Sequence, residues 1–267
     1  MRLSPFAPID DLLAPPPAPE KVRWIAGNTF AHRGLHGPGI HGPGIHGPGI
    51  IENSATAFAD AISRGLGIEC DVQRSRDGEA MVIHDWELDR LTERTGRIED
   101  LTAAELGGIA LAGGRDRILT LREVLEQVAG AVPLLIEVKS QRAKPVAALC
   151  HAVGRALAGY RGRHAVMSFD PRVSRWFRRH SPETVRGLVV TEEHARGCGG
   201  AIRRRLSLWH ARPDFLACDI RDLPSPFAAS QRRRGLPVAA WTVRSAEDLG
   251  RAALHADAPI AEGAGLA

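Results

Sequence analysis

The 267-residue chain has no apolar run long enough to cross a membrane. Its longest uncharged stretch, residues 34–51, consists largely of Gly, His and Pro, whereas a membrane helix needs about 18–20 mostly apolar residues. The N-terminus combines Asp10 and Asp11 with a run of three prolines and lacks the apolar segment and small-residue cleavage site of a signal peptide. We therefore expect a cytoplasmic protein without stable membrane insertion.

Cysteine is also scarce, and the cysteines present are not paired in sequence. No two of them form a Cys-x-x-Cys motif, which disfavours a metal or redox motif of that type. We expect reduced, buried thiols at all four positions, Cys70, Cys150, Cys198 and Cys218.

A large excess of charge of one sign is missing as well. The chain has 35 basic and 31 acidic residues, a net charge of +4, and this mild excess favours anionic partners only weakly. Only Lys21, Lys139 and Lys144 are lysines, so almost all of the positive charge is carried by arginine.

Short β-branched runs alternate with longer amphipathic runs from about residue 27 onward. Eight strands linked by helices at this length predict a (β/α)8 barrel of one domain, and a doubly wound open sheet is the alternative that periodicity leaves open. The predicted strands are Thr29–His32, Ile68–Gln73, Ala80–His84, Leu134–Lys139, Ala165–Phe169, Arg186–Val190, Phe215–Asp219 and Val238–Val243. The predicted helices are Ser54–Ser63, Leu121–Val128, Pro145–Leu157, Pro171–Arg179, Ser225–Arg234 and Ala246–His255.

The domain organisation that we predict is a Pro-rich N-terminal extension at residues 1–26 and a barrel at residues 27–267. Within the barrel, the pentapeptide His-Gly-Pro-Gly-Ile occurs three times in succession over residues 36–50. Gly-Pro pairs make turn-rich loops, in which the histidines have no fixed mutual geometry. We expect a surface loop here rather than a metal site.

Paired carboxylates occur on one predicted strand. Glu69 and Asp71 are two residues apart, so their side chains lie on the same face of the strand. Two carboxylates on an otherwise apolar strand repel each other and are poorly hydrated, and a cation between them relieves both problems. Exposed edge strands often carry the same spacing, so the pair alone leaves both interpretations open.

A second apolar strand ends in Glu137 and Lys139, again on one face. A salt bridge at the strand end is one interpretation, but both charges sit at the C-terminal end of a central strand, where barrels have their active sites. His32 and His84 also follow predicted strands, and Arg33 supplies a planar donor fork suited to a phosphate or carboxylate. Hard oxygen ligands, two proton-transfer groups and an anion clamp together indicate metal-assisted phosphoester cleavage.

These residues belong to an ordered set that resembles the glycerophosphodiester phosphodiesterase family over roughly residues 28–245. The motifs are His32-Arg33-Gly34, Glu52-Asn53-Ser54, Glu69-x-Asp71, Asp77-Gly78, His84-Asp85, Glu137-x-Lys139 and Trp241-Thr242-Val243. Each is weak alone, but seven motifs in family order make a strong signal. The resemblance implies a single (β/α)8 barrel.

The resemblance also implies a role for each matching residue. Glu69, Asp71 and Glu137 would hold one divalent cation, Mg or Ca. The remaining residues divide into an acid–base pair, His32 and His84, a phosphate-facing group, Arg33 and Lys139, an alcohol-side residue, Trp241, and a supporting pair, Glu52 and Asn53.

The implied reaction is metal-dependent hydrolysis of a small-molecule glycerophosphodiester to glycerol 3-phosphate and an alcohol. One histidine deprotonates the nucleophile, which is water or the neighbouring glycerol hydroxyl, and the other protonates the leaving alcohol. Which histidine acts first is left open, as are the head group and the oligomeric state.

Two segments depart from the family pattern. The triple repeat lies between His32 and Glu52, where the family tends to have a shorter loop, so the resemblance leaves the position of this loop and its effect on substrate access open. At the C-terminus, Ala258-Pro259-Ile260 replaces the short apolar strand and Asp-Pro turn that often end the family's barrel. We expect the barrel to close nevertheless, with a changed C-terminal lip.

Two other functions compete with this one. A lysophospholipase D-like activity on lipids would favour an apolar groove and some surface affinity, and no amphipathic membrane helix is evident. A non-catalytic polyanion binder would use the arginine runs at 178–179, 203–205 and 232–234. With one tyrosine in the chain, stacking on single-stranded nucleic acid is disfavoured, so we expect no nucleic-acid partner.

Overall fold

The protein has the (β/α)8 barrel fold in a computed structural model that describes residues 6–37, 49–112, 116–141 and 143–266. The first barrel strand pairs in parallel with the second, Phe30 opposite Gly67 and Ala31 opposite Ile68, and this pairing closes the sheet. The predicted fold class is therefore confirmed, and the doubly wound open sheet is excluded. Most of the predicted repeat loop, residues 38–48, lies outside the described residues.

The described residues form the following elements in chain order. The strands are β1 (Phe30–Ala31), β2 (Gly67–Arg74), β3 (Ala80–Val82), β4 (Leu119–Thr120), β5 (Leu134–Val138), β6 (His164–Ser168), β7 (Val185–Val190), β8 (Phe215–Asp219), β9 (Val238–Val243) and β10 (Ala258–Ala261). The helices are α1 (Ala7–Leu13), α2 (Pro19–Val22), α3 (Ala55–Ser63), α4 (Ala103–Gly107), α5 (Leu121–Val128), α6 (Ala147–Leu157), α7 (Pro171–His180), α8 (Cys198–Ala211), α9 (Pro226–Arg233) and α10 (Ala246–His255). Turns of 3₁₀ helix cover Ile98–Asp100, Ile220–Asp222 and Gly263–Leu266.

One compact unit of the barrel comprises residues 30–164. Its central strand, β2, pairs in parallel with β5 and antiparallel with β3. Both faces of β2 and β5 are covered along most of their length, which is why both sequences contain apolar residues between the charged site residues. The segment between β3 and β4 packs around its own apolar cluster, which includes Ile83, Leu88 and Ile98.

The other compact unit comprises residues 165–267 together with residues 1–29. Strands β7, β8, β9 and β10 pair in parallel with their neighbours in that order. Helix α1 is fixed by the buried Asp10, whose carboxylate accepts hydrogen bonds from Trp209 Nε1 at 2.8 Å and Gln231 Nε2 at 2.9 Å. The boundary between an extension and the barrel at residue 27 stays a prediction.

One predicted barrel strand is assigned wrongly. The run Ala80–His84 forms only the three-residue β3, which pairs antiparallel with β2 and β4 and is not a parallel barrel strand. The eighth parallel strand of the barrel is instead β10, which lies in the C-terminal segment that departs from the family pattern. A four-residue strand containing Pro259 gives little strand signal, because proline removes a ladder donor.

The predicted helix starts agree with the structure where a capping side chain is present. Ser54 accepts a hydrogen bond from the Ala57 N–H, Asp170 from the Arg172 N–H and Ser245 from the Asp248 N–H. Helix α8 was not predicted, because it begins Cys-Gly-Gly and has no capping side chain.

Two further sequence expectations can be compared with the structure. Cys70, Cys150 and Cys218 are buried free thiols, whereas Cys198 is exposed, contrary to expectation. None of the helices in the described ranges combines the length and apolar character that crossing a bilayer requires.

Candidate active site

The polar residues predicted from sequence converge at one end of the 30–164 unit. They lie on or just after β1, β2, β3 and β5 and in the turn that enters α3. The group comprises His32, Arg33, Glu52, Asn53, Glu69, Asp71, His84, Glu137 and Lys139.

Three carboxylates form the centre of this group. Asp71 on β2 is directly opposite Glu137 on β5, and Glu69 points to the same face as Asp71. One oxygen from each of the three lies within 4.8 Å of the others. Glu69 and Asp71 are each 2% exposed, and the Glu137 side chain is 12% exposed. Three carboxylates are thus held together with little access to water.

The electrostatics of the three carboxylates favour a bound cation. Burial and then the charges of Asp71 and Glu137 raise the pKa of Glu69 well above its usual value. Burial also raises the pKa of Glu137, although Lys139 opposes this. Burial alone would raise the pKa of Asp71, but Lys139 and Arg33 outweigh it and the pKa is lowered. A hard divalent cation ligated by carboxylate oxygens would relieve this repulsion, so the donor set fits such an ion.

Two cationic side chains border the carboxylates. Lys139 Nζ lies 3.0 Å from Glu137 Oε1 and 3.4 Å from Asp71 Oδ1. Arg33 Nη1 donates a hydrogen bond to Glu52 Oε1 at 2.8 Å, and its Nε lies 3.3 Å from Asp71 Oδ2. The site therefore contains fixed positive charge on two sides of its carboxylate centre.

The turn after β1 brings Arg33 into the site. Arg33 and Gly34 both have positive φ, 55° and 79°, which directs the chain sharply towards α3. A Cβ on Gly34 would lie 2.9 Å from Ala57 Cβ and 2.9 Å from a Phe58 ring carbon, so only glycine fits there. As a result the Arg33 N–H donates to Glu69 Oε2 at 3.1 Å.

Asn53 holds the turn against β2. Its Nδ2 donates to Asp71 Oδ2 at 3.2 Å, and its Oδ1 accepts from the Asp71 N–H at 3.3 Å. Its own N–H donates to the Arg33 carbonyl at 2.8 Å. This places the predicted supporting pair, Glu52 and Asn53, in contact with Arg33 and Asp71.

The two histidines reach the site from different kinds of strand. His32 follows β1, and its Nε2 is 4.0 Å from Glu69 Oε2. His84 follows the antiparallel strand β3, so it does not follow a parallel barrel strand as the predicted strand Ala80–His84 implied. His84 is nevertheless brought close because the Ile83 N–H donates to the Asp71 carbonyl at 3.0 Å.

Gln73 holds the loop that carries His84. Its side-chain amide donates to the carbonyls of Ile83 at 3.3 Å, His84 at 2.9 Å and Asp85 at 2.5 Å. Gln73 was not predicted, although it extends the alternating series of Glu69 and Asp71 on the same face of β2. That alternation is the signal that could have identified it.

Arg90 connects the loop that carries His84 to the turn that carries Arg33. Its Nε donates to Asp85 Oδ2 at 2.5 Å, and its Nη2 donates to Glu52 Oε1 at 2.7 Å. Asp85 Oδ1 in turn lies 2.7 Å from His84 Nδ1. Burial would raise the pKa of Asp85, but the hydrogen bonds from Arg90 and His84 lower it to about 2. Arg90 lies in an irregular segment, so neither periodicity nor spacing points to it.

The remaining two motifs contain Asp77 with Gly78, and Trp241. Asp77 and Gly78 form the turn between β2 and β3, where Asp77 Oδ1 accepts hydrogen bonds from Ser75 Oγ at 2.6 Å and the Ala103 N–H at 2.9 Å. Trp241 lies on β9 in the 165–267 unit, where its Nε1 donates to the Ala217 carbonyl at 2.9 Å. Its predicted contact with substrate stays a prediction.

Two of the three arginine runs are occupied by ion pairs within the protein. Arg204 lies 3.3 Å from Glu192, Arg232 lies 2.9 Å from Asp257, and Arg234 lies 2.7 Å from Asp11. These pairs argue against a polyanion site built from the linear runs at 203–205 and 232–234.

Sequence comparison gives one family and several relatives. The family described as the glycerophosphoryl diester phosphodiesterase family matches residues 32–258. YhdW of Bacillus subtilis, a protein assigned to the glycerophosphodiester phosphodiesterases, is 29% identical over 226 residues, 80% of this chain and 85% of the relative. Glycerophosphodiester phosphodiesterase 1 of Bos taurus is 26% identical over 230 residues, 74% of this chain and 69% of the relative.

Solved structures share the fold. A Thermotoga maritima glycerophosphodiester phosphodiesterase has a TM-score of 0.67 and 25% identity, covering 87% of this chain and 93% of that chain. An Oleispira antarctica phosphodiesterase, solved with the product sn-glycerol-3-phosphate, has a TM-score of 0.73 and 22% identity, covering 88% and 93% of the two chains.

Proposed function

The chain belongs to the glycerophosphoryl diester phosphodiesterase family, and from this premise we propose that it hydrolyses glycerophosphodiesters to sn-glycerol 3-phosphate and an alcohol. The observation that carries the proposal is the convergence of three buried carboxylates, two cationic side chains and two histidines in the 30–164 unit. The Oleispira antarctica enzyme, which has the same fold, was solved with that product.

Glu69, Asp71 and Glu137 would hold one divalent cation, Mg or Ca. When bound, the cation supplies positive charge that stabilises the phosphate oxygens as negative charge develops. Arg33 and Lys139 bind and orient the phosphate, since both are fixed cations beside the carboxylates. By the family resemblance, Trp241 would contact the alcohol of the substrate.

His84 is suited to accept a proton from the nucleophile. Because Asp85 is ionised, His84 Nδ1 donates to it and leaves Nε2 unprotonated. Burial lowers the pKa of His84, so the ring is neutral near physiological pH. His32, whose Nε2 lies 4.0 Å from Glu69 Oε2, then protonates the leaving alcohol.

A direct test is the release of sn-glycerol 3-phosphate from a panel of glycerophosphodiesters, measured with Mg or Ca and again after chelation. We expect release that is lost with chelator and restored by one of the two ions. A lysophospholipid substrate in the same panel tests the lysophospholipase D-like alternative, which would require that lipid to be cleaved faster than the water-soluble diesters. If no diester is cleaved with any divalent ion, the proposed activity is wrong.

A further inference from the structure

Large apolar side chains remain exposed on two helices that pack against each other in the 165–267 unit. Helix α1 lies against α8, and residues on both present apolar surface to solvent. The exposed fractions are 44% for Phe6, 44% for Ile9, 76% for Leu12, 60% for Ile202 and 55% for Leu206. Isolated exposed apolar residues are common, but four on two adjacent helices, with Phe6 directly before α1, form a patch of the kind that marks interaction sites.

The contacts of α1 show that its apolar side chains lie on the side of α8. Asp11 pairs with Arg234, which follows α9, whereas the Phe6 ring lies 4.0 Å from the Arg205 guanidinium on α8. Ile9 is on the same side of α1 as Phe6, because residues three apart share a helix face. On α8, Ile202 and Leu206 are four residues apart and also share a face.

A cluster of arginines lies on the neighbouring helix α7 and at the end of α8. Arg175, Arg178 and Arg179 are spaced for one face of α7, and Arg212 directly follows α8, which packs against α7. Burial and the nearby charges of Arg212, Arg175 and Arg179 lower the pKa of Arg178. Arg178 is therefore close enough to each of the other three arginines for their charges to oppose its own.

No carboxylate compensates this cluster within the described ranges of the chain. None of Arg175, Arg178, Arg179 and Arg212 takes part in a salt bridge there. Asp170, at the start of α7, is already engaged by Arg172 at 2.6 Å. The cluster thus differs from the runs at 203–205 and 232–234, where acidic side chains of the protein pair with arginines.

We propose that the outer faces of α1, α7 and α8 form a docking surface for an anionic lipid bilayer. The unpaired arginines would attract lipid phosphates, and the exposed side chains of α1 and α8 would enter the interfacial region beside them. A nucleic acid would match the arginines but would leave the apolar side chains in water, so the combination favours a lipid surface. None of these residues belongs to the candidate active site.

Vesicle flotation tests the charged half of the surface. The full-length protein should bind phosphatidylcholine vesicles containing about 30% phosphatidylglycerol and not phosphatidylcholine alone, and added salt should weaken binding. Each basic residue near an anionic bilayer contributes about a fivefold increase in partitioning, so Arg175→Gln, Arg178→Gln and Arg179→Gln together should reduce it by about 100-fold. The matched control replaces the exposed Arg64, Arg122 and Arg161 of the other unit with Gln.

Variants of the exposed apolar side chains distinguish binding to a bilayer from binding to other polyanions. Ile202→Ser with Leu206→Ser should weaken vesicle binding at least tenfold and leave any binding to duplex DNA or heparin unchanged, while Leu254→Ser, at an exposed position on α10, serves as the control. The proposal would be overturned if the control arginine variant lost as much vesicle binding as the α7 variant, or if the variant of Ile202 and Leu206 bound vesicles as well as the unchanged protein. Tighter binding to DNA than to vesicles would also overturn it. Release of glycerol 3-phosphate from a water-soluble diester should stay unchanged in these variants, so the result is independent of the proposed activity.

Discussion

At the level of single side chains, His84 and His32 are the two groups that we expect to transfer protons. Their neighbours differ. His84 Nδ1 contacts Asp85 at 2.7 Å, whereas His32 Nε2 lies 4.0 Å from Glu69. We expect His32→Ala and His84→Ala each to lower kcat by about 10²–10⁴-fold, the usual contribution of a positioned acid or base. Circular dichroism and melting of both variants control for folding. Turnover near that of the unchanged protein in either variant would contradict the assignment.

Asp85 acts on the reaction through His84, so it is a positioning residue. Its hydrogen bond raises the pKa of His84 against the lowering effect of burial. We expect Asp85→Asn to lower kcat by about 10–100-fold with little change in KM. Because loss of the carboxylate lowers the pKa of His84, the rising limb of the pH–rate profile should move to lower pH.

The exposed Asp89 offers a matched control for that substitution. Asp89→Asn removes the same charge four residues away and should leave both kcat and the pH profile unchanged. An unchanged pH profile in Asp85→Asn would show that Asp85 supports the loop without tuning the histidine.

The residues that sequence reasoning located are those whose function follows from local spacing. Glu69 and Asp71 share a face of any strand, and Glu137 with Lys139 repeats that spacing, so both pairs could be found before the fold was known. Arg90 could not be found, because its contacts with Glu52 and Asp85 depend on how an irregular segment folds back.

At the level of elements, local sequence signals predicted the longer strands correctly, but they did not predict how the run at Ala80 pairs or that β10 exists. Strands β8 and β9 have the predicted bounds, because each consists mainly of consecutive apolar residues. The run beginning at Ala80 has the same local composition, yet it pairs antiparallel, and only long-range pairing distinguishes the two cases. Strand β10 was missed because four residues with a proline carry almost no periodic signal.

The turn from β1 to α3 holds Arg33 in the candidate active site, and this turn requires glycine at position 34. Replacing Gly34 with Ala should destabilise the protein, because it combines a positive φ with contacts of 2.9 Å to Ala57 and Phe58. The strain of the left-handed backbone alone costs about 1 kcal/mol, and we expect a total loss of about 2–4 kcal/mol in the free energy of unfolding. Urea denaturation measures this loss.

Gly65→Ala provides the matched control for Gly34→Ala. Gly65 also has a positive φ, but a Cβ there would have no atom within 4 Å. This control should therefore lose only the backbone share of about 1 kcal/mol. Equal losses in the two variants would mean that the contact with α3 contributes nothing.

At the level of the whole molecule, the carboxylate centre links stability to pH and to cations. The pKa of Glu69 is raised from 4.5 in the folded protein, so without a cation its ionisation destabilises the fold as pH rises above that value. Glu137 acts in the same direction, and Asp71, whose pKa is lowered, acts in the opposite one. A divalent cation that binds only the folded protein should offset the destabilisation and raise Tm.

Glu69→Gln tests this link, because it removes one of the three charges and keeps the size of the side chain. In chelator, the variant should have a higher Tm than the unchanged protein near neutral pH, and the difference should shrink towards pH 4.5, where Glu69 is protonated in the folded state. The variant should also lose most of the Tm increase that Mg or Ca produces, since one ligand is gone. Glu126→Gln, which changes a charge on the surface of α5, should leave both measurements unaltered. If Glu69→Gln lowers Tm in chelator, the three carboxylates are stabilised by Arg33 and Lys139 alone, and a cation is not needed to hold this part of the barrel together.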